Sequence, residues 1–344
     1  MSQPAPQFTP RRQLGRTGFV ATPIGIGDLA DRSVPLDQCV ATARLAIDRG
    51  LNLIDTAPSY EDGYSEQIVG QAVQGCRDRM FVIDKIDFHD QPVAPQIDAS
   101  LRRLHLDHTD LFVFHGLSTL AGWDRLLSPG GGMDQLQTCL DSGKTRFKGI
   151  SSHHPDVLRQ AILSGRCDVV LFPIGPFVDI RYVTDILPLA KSHGVGTVCF
   201  KTFAAGKLLG DTSGYGQPLK IRPRGKLSSG GGVTPESDGG VEGGVEAIKT
   251  GVDGGGDAKK TGVAGGDEQG KSPPLTVREC VHYTLTCDPD VALLGMSFPN
   301  EIQAALSAAQ DFPKPLSPKE MATLRQRAAA AIIGKGPCWW NPDP

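Results

Sequence analysis

Residues 50–70 read GLNLIDTAPSYEDGYSEQIVG: a short apolar run, an aspartate at its end, a turn-rich loop, then apolar residues at helical spacing. The run is too short for a helix, so NLID (52–55) reads as a buried strand with Asp55 at its tip. Tyr60 follows in the loop, and YSEQIVGQAVQ (64–74) carries apolar residues three and four apart, the pattern of a helix with one buried face. The stretch is therefore one strand–loop–helix unit with polar residues gathered where the strand ends.

The same unit recurs along the chain. Further strands are expected at 23–26 (PIGI), 80–84 (MFVID), 110–114 (DLFVF), 146–150 (RFKGI), 168–172 (DVVLF), 196–200 (GTVCF) and 291–294 (VALL). Helical spacing appears at 36–49, 94–104, 155–163 and 181–192, with Gly50 and Gly194 placed as stop signals. Eight strands alternating with helices predict an α/β fold, a (β/α)₈ TIM barrel, and the 344 residues fit one such domain over 1–344. Ahead of the first strand, RRQLGRTGFVATP (11–23) has paired turn glycines between short apolar stretches and predicts an N-terminal β-hairpin closing the barrel bottom. Gly25 and Gly27 are expected in a tight first loop, with Asp28 directly after them.

One segment does not fit the alternation. Residues 213–272 are dominated by Gly, Asp, Glu, Lys and Ser, with no aromatic after Tyr215. Such a composition cannot bury enough apolar area to offset chain entropy, so a long disordered Gly-rich insert is expected between strand seven and helix seven. The tail at 335–344 contains Trp339 and Trp340, too costly to leave in water, and is expected either near the barrel mouth or on the barrel side.

Composition narrows the partners. A formal charge of −3 provides no basic field for nucleic acid or an anionic membrane surface. No apolar run approaches the roughly 18 residues of a membrane span, and the first residues lack the apolar core of a secretory signal, so a cytoplasmic protein is expected. The eight cysteines show no CxxC pair and no metal spacing, which predicts reduced thiols and no metal site. His153 and His154 are explained by an exposed, helix-initiating SSHHPD stretch.

Asp55, Lys85 and His115 come from three successive strand ends, and Tyr60 from the loop after the first of these. In a βα barrel the C-terminal ends of the strands are where catalysis is assembled. Reducing a carbonyl requires a hydride and a proton for the developing alkoxide, and a phenol is a useful acid only when a nearby cation stabilises its anion. Lys85 is the expected cation, Asp55 its counter-charge, and His115 the group that orients the carbonyl oxygen. The substrate expected is a small carbonyl compound or alcohol.

GLNLIDTAPSY, SEQIVGQAV, the lysine of strand three and the histidine after strand four together resemble the aldo-keto reductase superfamily. The resemblance extends through RQLGRTG, KGISSHHPDVL, ILPLAKSHGVGTVCFKTFAAGKLLG and VALLGMSFPNEIQAALSAA. It implies a (β/α)₈ barrel, an extended NAD or NADP held without a Rossmann domain, and a tetrad of Asp55, Tyr60, Lys85 and His115. It further implies cofactor contacts from Ser151 and Ser152 to the nicotinamide amide, with Ser152 in place of the family's Asn and Leu171 in place of its Gln. Phe200 is implied as the ring stacked on the nicotinamide, and Lys201, Gly206, Lys207 and Leu208 as the pyrophosphate loop. Ser297 and Glu301 fall at the adenosine end; the carboxylate of Glu301, where a cation usually meets the 2′-phosphate, tilts the expectation towards NAD. A catalytically weak, nucleotide-sensing subunit on the same barrel is the alternative function, since the amide contacts are altered.

Overall fold

The fold is set by which residue of each short strand turns inward. The structure is a computed structural model that describes residues 7–27, 32, 34–209, 274–295, 299–333, 338, 340 and 341. Asp28, the insert at 213–272, Ser297 and most of the tail at 335–344 lie outside the described residues.

A hairpin of β1 (Arg12–Gln13) and β2 (Val20–Ala21) precedes eight barrel strands. These are β3 (Ile24–Ile26), β4 (Leu53–Asp55), β5 (Phe81–Ile86), β6 (Thr109–Phe114), β7 (Thr145–Ser151), β8 (Val169–Pro173), β9 (Gly196–Phe200) and β10 (Val291–Leu294). All neighbours are parallel, and β10 pairs with β3 to close the barrel. The predicted (β/α)₈ barrel with its N-terminal hairpin is the observed fold. Around it run α1 (Leu36–Asp48), α2 (Tyr64–Ala72), α3 (Val93–Leu104), α4 (Leu120–Leu127), α5 (Gly132–Asp141), α6 (Pro155–Leu163), α7 (Leu187–Ser192), α8 (Val277–Cys287), α9 (Pro299–Gln310) and α10 (Pro318–Ile332).

The barrel interior is filled by Leu53, Phe81, Ile83, Leu111, Val113, Val169, Leu171, Val198, Val291 and Leu293, with Leu14 and Ala21 of the hairpin at the bottom. Side chains alternate along a strand, so counting by two from these apolar residues towards the strand ends reaches Asp55, Lys85, His115 and Phe200, and counting from Phe147, which packs against them, reaches Ser151. Register confirms the layering, since Asp55 pairs with Ile83 and Lys85 with Val113. The opposite faces of the strands join the larger cluster beneath the helices.

Local chemistry explains the departures from expectation. The third barrel strand continues through Lys85 to Ile86 instead of stopping at Asp84. The helix expected at 181–192 divides into a π-helical turn, Tyr182–Ile186, and α7, where Pro188 cannot donate a backbone hydrogen bond. Gly25 is inside β3 and not in a loop: a Cβ there would meet the Leu53, Val291 and Leu293 side chains at 2.9–3.1 Å, so the position needs glycine for packing. Gly27 does follow the strand, donating to the Leu294 carbonyl at 2.9 Å. The sequence reading gave no helical range for α4 and α5, where Gly122 and the SPGGG stretch at 128–132 break the apolar spacing, nor for α8, α9 and α10. No helix among the described residues is long and apolar enough to cross a membrane.

Candidate active site

The tips of β4, β5 and β6 meet at the C-terminal mouth. Lys85 Nζ lies 2.7 Å from both Asp55 carboxylate oxygens and 2.7 Å from the Thr56 carbonyl. Both side chains are buried, at 3% and 5% exposure, so this is an ion pair removed from solvent and almost fully hydrogen-bonded. Burial pushes the Asp55 carboxyl up from its ordinary value, and the Lys85 ammonium opposes it. With these acceptors around it, Nζ meets Tyr60 through the ring face, 4.5 Å from its centroid. The edge of His115 completes the group, its ring 5.7 Å from that of Tyr60 and steeply inclined at 79°. The four expected residues are thus brought together from three strands and one loop.

The Tyr60 loop is held by unusual backbone. Glu61, Asp62 and Gly63 all adopt positive φ, at 49°, 51° and 81°, a run that only Gly63 enters without strain. Arg32 secures the turn by donating to the Glu61 carbonyl at 2.6 and 2.9 Å.

The other half of the mouth is built differently. Ser151 Oγ accepts from the Gly116 backbone N–H at 2.8 Å, and Ser152 Oγ accepts from His154 N–H at 3.0 Å. The Ser152 hydroxyl therefore holds a local turn, whereas Ser151 ties the end of β7 to the loop after β6. Leu171 is fully buried in the barrel interior. Phe200 ends β9 half-buried, and the His153 ring lies 5.1 Å from it. His153 is accordingly packed at the mouth, not in an exposed stretch, although His154 does take the N-cap position of α6 with Pro155 next. Burial, then the charges of Lys201 and His115, hold His153 well below its ordinary value, so this ring is neutral at pH 7.

Lys201, Ala204, Ala205 and Gly206 form a turn with φ of 69°, 47°, 55° and 79°, ending near the buried Leu208. Lys201 and Lys207 reach over the Trp340 ring at 5.3 and 5.4 Å. Trp340 is buried, donating from Nε1 to the Phe177 carbonyl at 3.3 Å, so the described part of the tail packs on the segment after β8. The buried Thr202 hydroxyl finds no protein partner in the same turn. An aromatic face, two cations and an unsatisfied buried hydroxyl suit a nicotinamide dinucleotide in donor type. Ser297 and the Glu301 side chain lie outside the described residues. Among the described residues no group of three or more His, Cys, Asp or Glu is arranged to hold a metal.

The Aldo/keto reductase family model matches residues 23–328. The chain belongs to that family. Among curated relatives it is 33% identical to L-galactose dehydrogenase of Arabidopsis thaliana over 214 residues, 57% of this chain and 66% of that protein. It is 31% identical to a methylglyoxal reductase of Escherichia coli K12 over 178 residues, 49% of this chain and 59% of that protein. The aligned part of this aldo/keto reductase thus spans less than two thirds of either relative's length. Its barrel resembles the holo form of an aldo-keto reductase from Bacillus halodurans, with TM-score 0.63, 19% identity, and coverage of 96% of this chain and 99% of that one. A Klebsiella pneumoniae aldo-keto reductase in complex with NADPH gives TM-score 0.61 at 20% identity, covering 92% and 95%. At these identities the structural likeness speaks for the fold.

Two features of this chain escaped the sequence reading. Asp87, directly after β5, places one carboxylate oxygen 2.5 Å from His115 Nδ1 and accepts the Ser59 N–H at 2.8 Å with the other. Asp84 and Glu66 are both fully buried behind Lys85, with Arg103 bonded to Glu66 through two nitrogens. Asp84 Oδ1 accepts the Lys85 backbone N–H at 2.8 Å, and the Asp84 carboxyl also meets that of Glu66 in a side-chain hydrogen bond. For Asp84 the signal was present in the sequence: an aspartate on the outward-facing position of an otherwise apolar strand requires a buried partner.

Proposed function

We propose that this chain is a nicotinamide-dependent oxidoreductase that interconverts a small carbonyl compound and its alcohol, with Tyr60 as general acid and base. The observation that carries this reading is the Lys85 ammonium, tied to Asp55 and lying 4.5 Å over the Tyr60 ring at the barrel mouth. A buried cation beside a phenol stabilises the phenolate left when the hydroxyl gives up its proton. Tyr60 donates that proton to the carbonyl oxygen in reduction and takes it back from the alcohol in oxidation. Asp55 keeps the lysine charged and fixed in a site where an unpaired ammonium would be costly. His115 orients the oxygen from the ring edge opposite Asp87.

When bound, a nicotinamide supplies or accepts the hydride. Phe200 supplies a stacking face, Lys201 and Lys207 supply positive charge for the pyrophosphate, Thr202 and Gly206 supply donors and space, and Leu208 closes the pocket wall. Ser151 and Ser152 would border the amide, Ser151 by fixing the loop after β6 and Ser152 by fixing its own turn. The Klebsiella neighbour was solved with NADPH, whereas the sequence resemblance assigns Glu301 to the adenosine end, where a carboxylate would favour NAD by repelling a 2′-phosphate. The relatives' names, an L-galactose dehydrogenase and a methylglyoxal reductase, make sugars and small aldehydes the first compounds to try. The decisive experiment titrates the full chain with NADH and NADPH by fluorescence, then measures turnover over a panel of aldehydes, ketones and sugars. Turnover abolished by Tyr60→Phe supports the reading. Tight nucleotide binding with no turnover on any carbonyl or alcohol overturns it in favour of the nucleotide-sensing alternative, and a lower Kd for NADPH overturns the Glu301 argument.

A further inference from the structure

We propose that Asp87 is a positioning residue for this reaction: it holds His115 with its hydrogen on Nδ1, turns Nε2 to the reacting oxygen, and ties that ring to the Tyr60 loop. The inference rests on the oxidoreductase reading for its catalytic meaning, while its structural content can be tested without turnover.

An ionised carboxylate only accepts hydrogen bonds, so at 2.5 Å the shared hydrogen belongs to His115 Nδ1. Burial would raise the Asp87 pKa, but the bond and charge of His115 outweigh it and hold the carboxyl below its ordinary value, so Asp87 is ionised at pH 7. The second oxygen is committed to the backbone N–H of Ser59, the residue before Tyr60. One carboxylate thus links the acid-bearing loop to the histidine. The His115 backbone is fixed on both sides, its N–H donating to the Ile86 carbonyl at 3.0 Å and its carbonyl 2.9 Å from His89 Nε2. Rotation of the ring is therefore opposed by Asp87 at Nδ1 and by an anchored main chain.

The consequence for chemistry is specific. With Nδ1 hydrogenated, a neutral His115 presents a lone pair at Nε2 and accepts from an alcohol hydroxyl; a protonated His115 presents N–H and donates to a carbonyl oxygen. By bonding Nδ1, the Asp87 carboxylate decides which atom of the ring meets the substrate, as the hydrogen-bond partners of metal-bound histidines do. The groups that face this ring are Asp87, Lys85, Tyr60, Asp55, His153 and Lys201 through its neighbour His153.

The test is long-range ¹H–¹⁵N NMR on the full chain with ¹⁵N-labelled histidine. His115→Gln assigns the signal among the eight histidines, and a pH titration finds the range where the ring is neutral. The expected result is hydrogen on Nδ1 in the unmodified protein, and a shift towards the Nε2–H form in Asp87→Ala. With the best carbonyl substrate, Asp87→Ala is expected to lower kcat about tenfold to a hundredfold, the usual worth of such an outer partner, with nucleotide Kd unchanged and partial recovery in Asp87→Glu. Hydrogen on Nε2 in the unmodified protein overturns the proposal, and this measurement needs no variant to fold. An unchanged tautomer and kcat in Asp87→Ala also overturns it. Absence of turnover in the unmodified protein would instead count against the oxidoreductase reading, leaving the tautomer result to stand or fall alone.

Discussion

The two halves of the barrel mouth present polar residues on different terms. At the tips of β4, β5 and β6, ionisable side chains find one another across strands: Lys85 on Asp55, and His115 on Asp87. At the tips of β7 and β9 and the turn after them, the Ser152 hydroxyl is held by a backbone N–H of its own turn, Ser151 by the Gly116 N–H of the loop after β6, and the loop cations lie over a tryptophan. A buried charge can be neutralised only by a distant partner, so its role is tertiary. A hydroxyl can be satisfied within its own turn, so its presence at a strand end says little about a ligand.

That contrast is broken or sharpened by four measurements. The largest effect is expected on the charged side: Lys85→Met leaves the Asp55 carboxylate buried without its cation, at a cost of about 3–5 kcal/mol in stability, read by urea unfolding. A loss below about 1 kcal/mol would mean that water reaches the pair. Tyr60→Phe should leave stability within about 1 kcal/mol and lower kcat by a factor on the order of 10² or more, with nucleotide Kd unchanged; turnover at the unmodified rate would remove Tyr60 from its proposed role.

On the cation side, Lys207→Ala should weaken nucleotide binding roughly tenfold, about 1.4 kcal/mol, with kcat at saturation little changed. The measurement is a fluorescence titration at two salt concentrations, where an unchanged Kd would place the pyrophosphate elsewhere.

The smallest effect is a gain. Asp84 and Glu66 are both pushed above their ordinary values, chiefly by burial, with the charge of Glu66 adding to the shift on Asp84. A carboxyl with a raised folded-state value binds protons more tightly when folded, so stability is fully present below the ordinary carboxylate range. It falls as pH rises from there through the folded-state value. Asp84→Asn keeps the acceptor for the Lys85 N–H and supplies a donor towards Glu66 that pH does not remove. It is therefore expected to raise stability by about 1 kcal/mol at pH 7–8 and by less at pH 4.5, seen as a larger rise in Tm at the higher pH. An equal or smaller gain at high pH would show that Asp84 is already ionised and satisfied.

The barrel was legible in the sequence, because eight short apolar runs and their alternation with helical spacing are local properties that survive without knowledge of any partner. The sequence also determined Asp55, Lys85 and His115 as mouth residues: each stands two positions beyond an apolar residue facing the interior, and the same parity carries Ser151 and Phe200 there. Tertiary structure decided what each of them touches. Asp87 lies 28 residues from both Ser59 and His115, Glu66 meets Arg103 across two helices, and Trp340 reaches back to Phe177 over 163 positions. Nothing in the local pattern of a segment records such a partner, because a buried charge or ring is placed by whichever distant group offsets its desolvation once the barrel has closed.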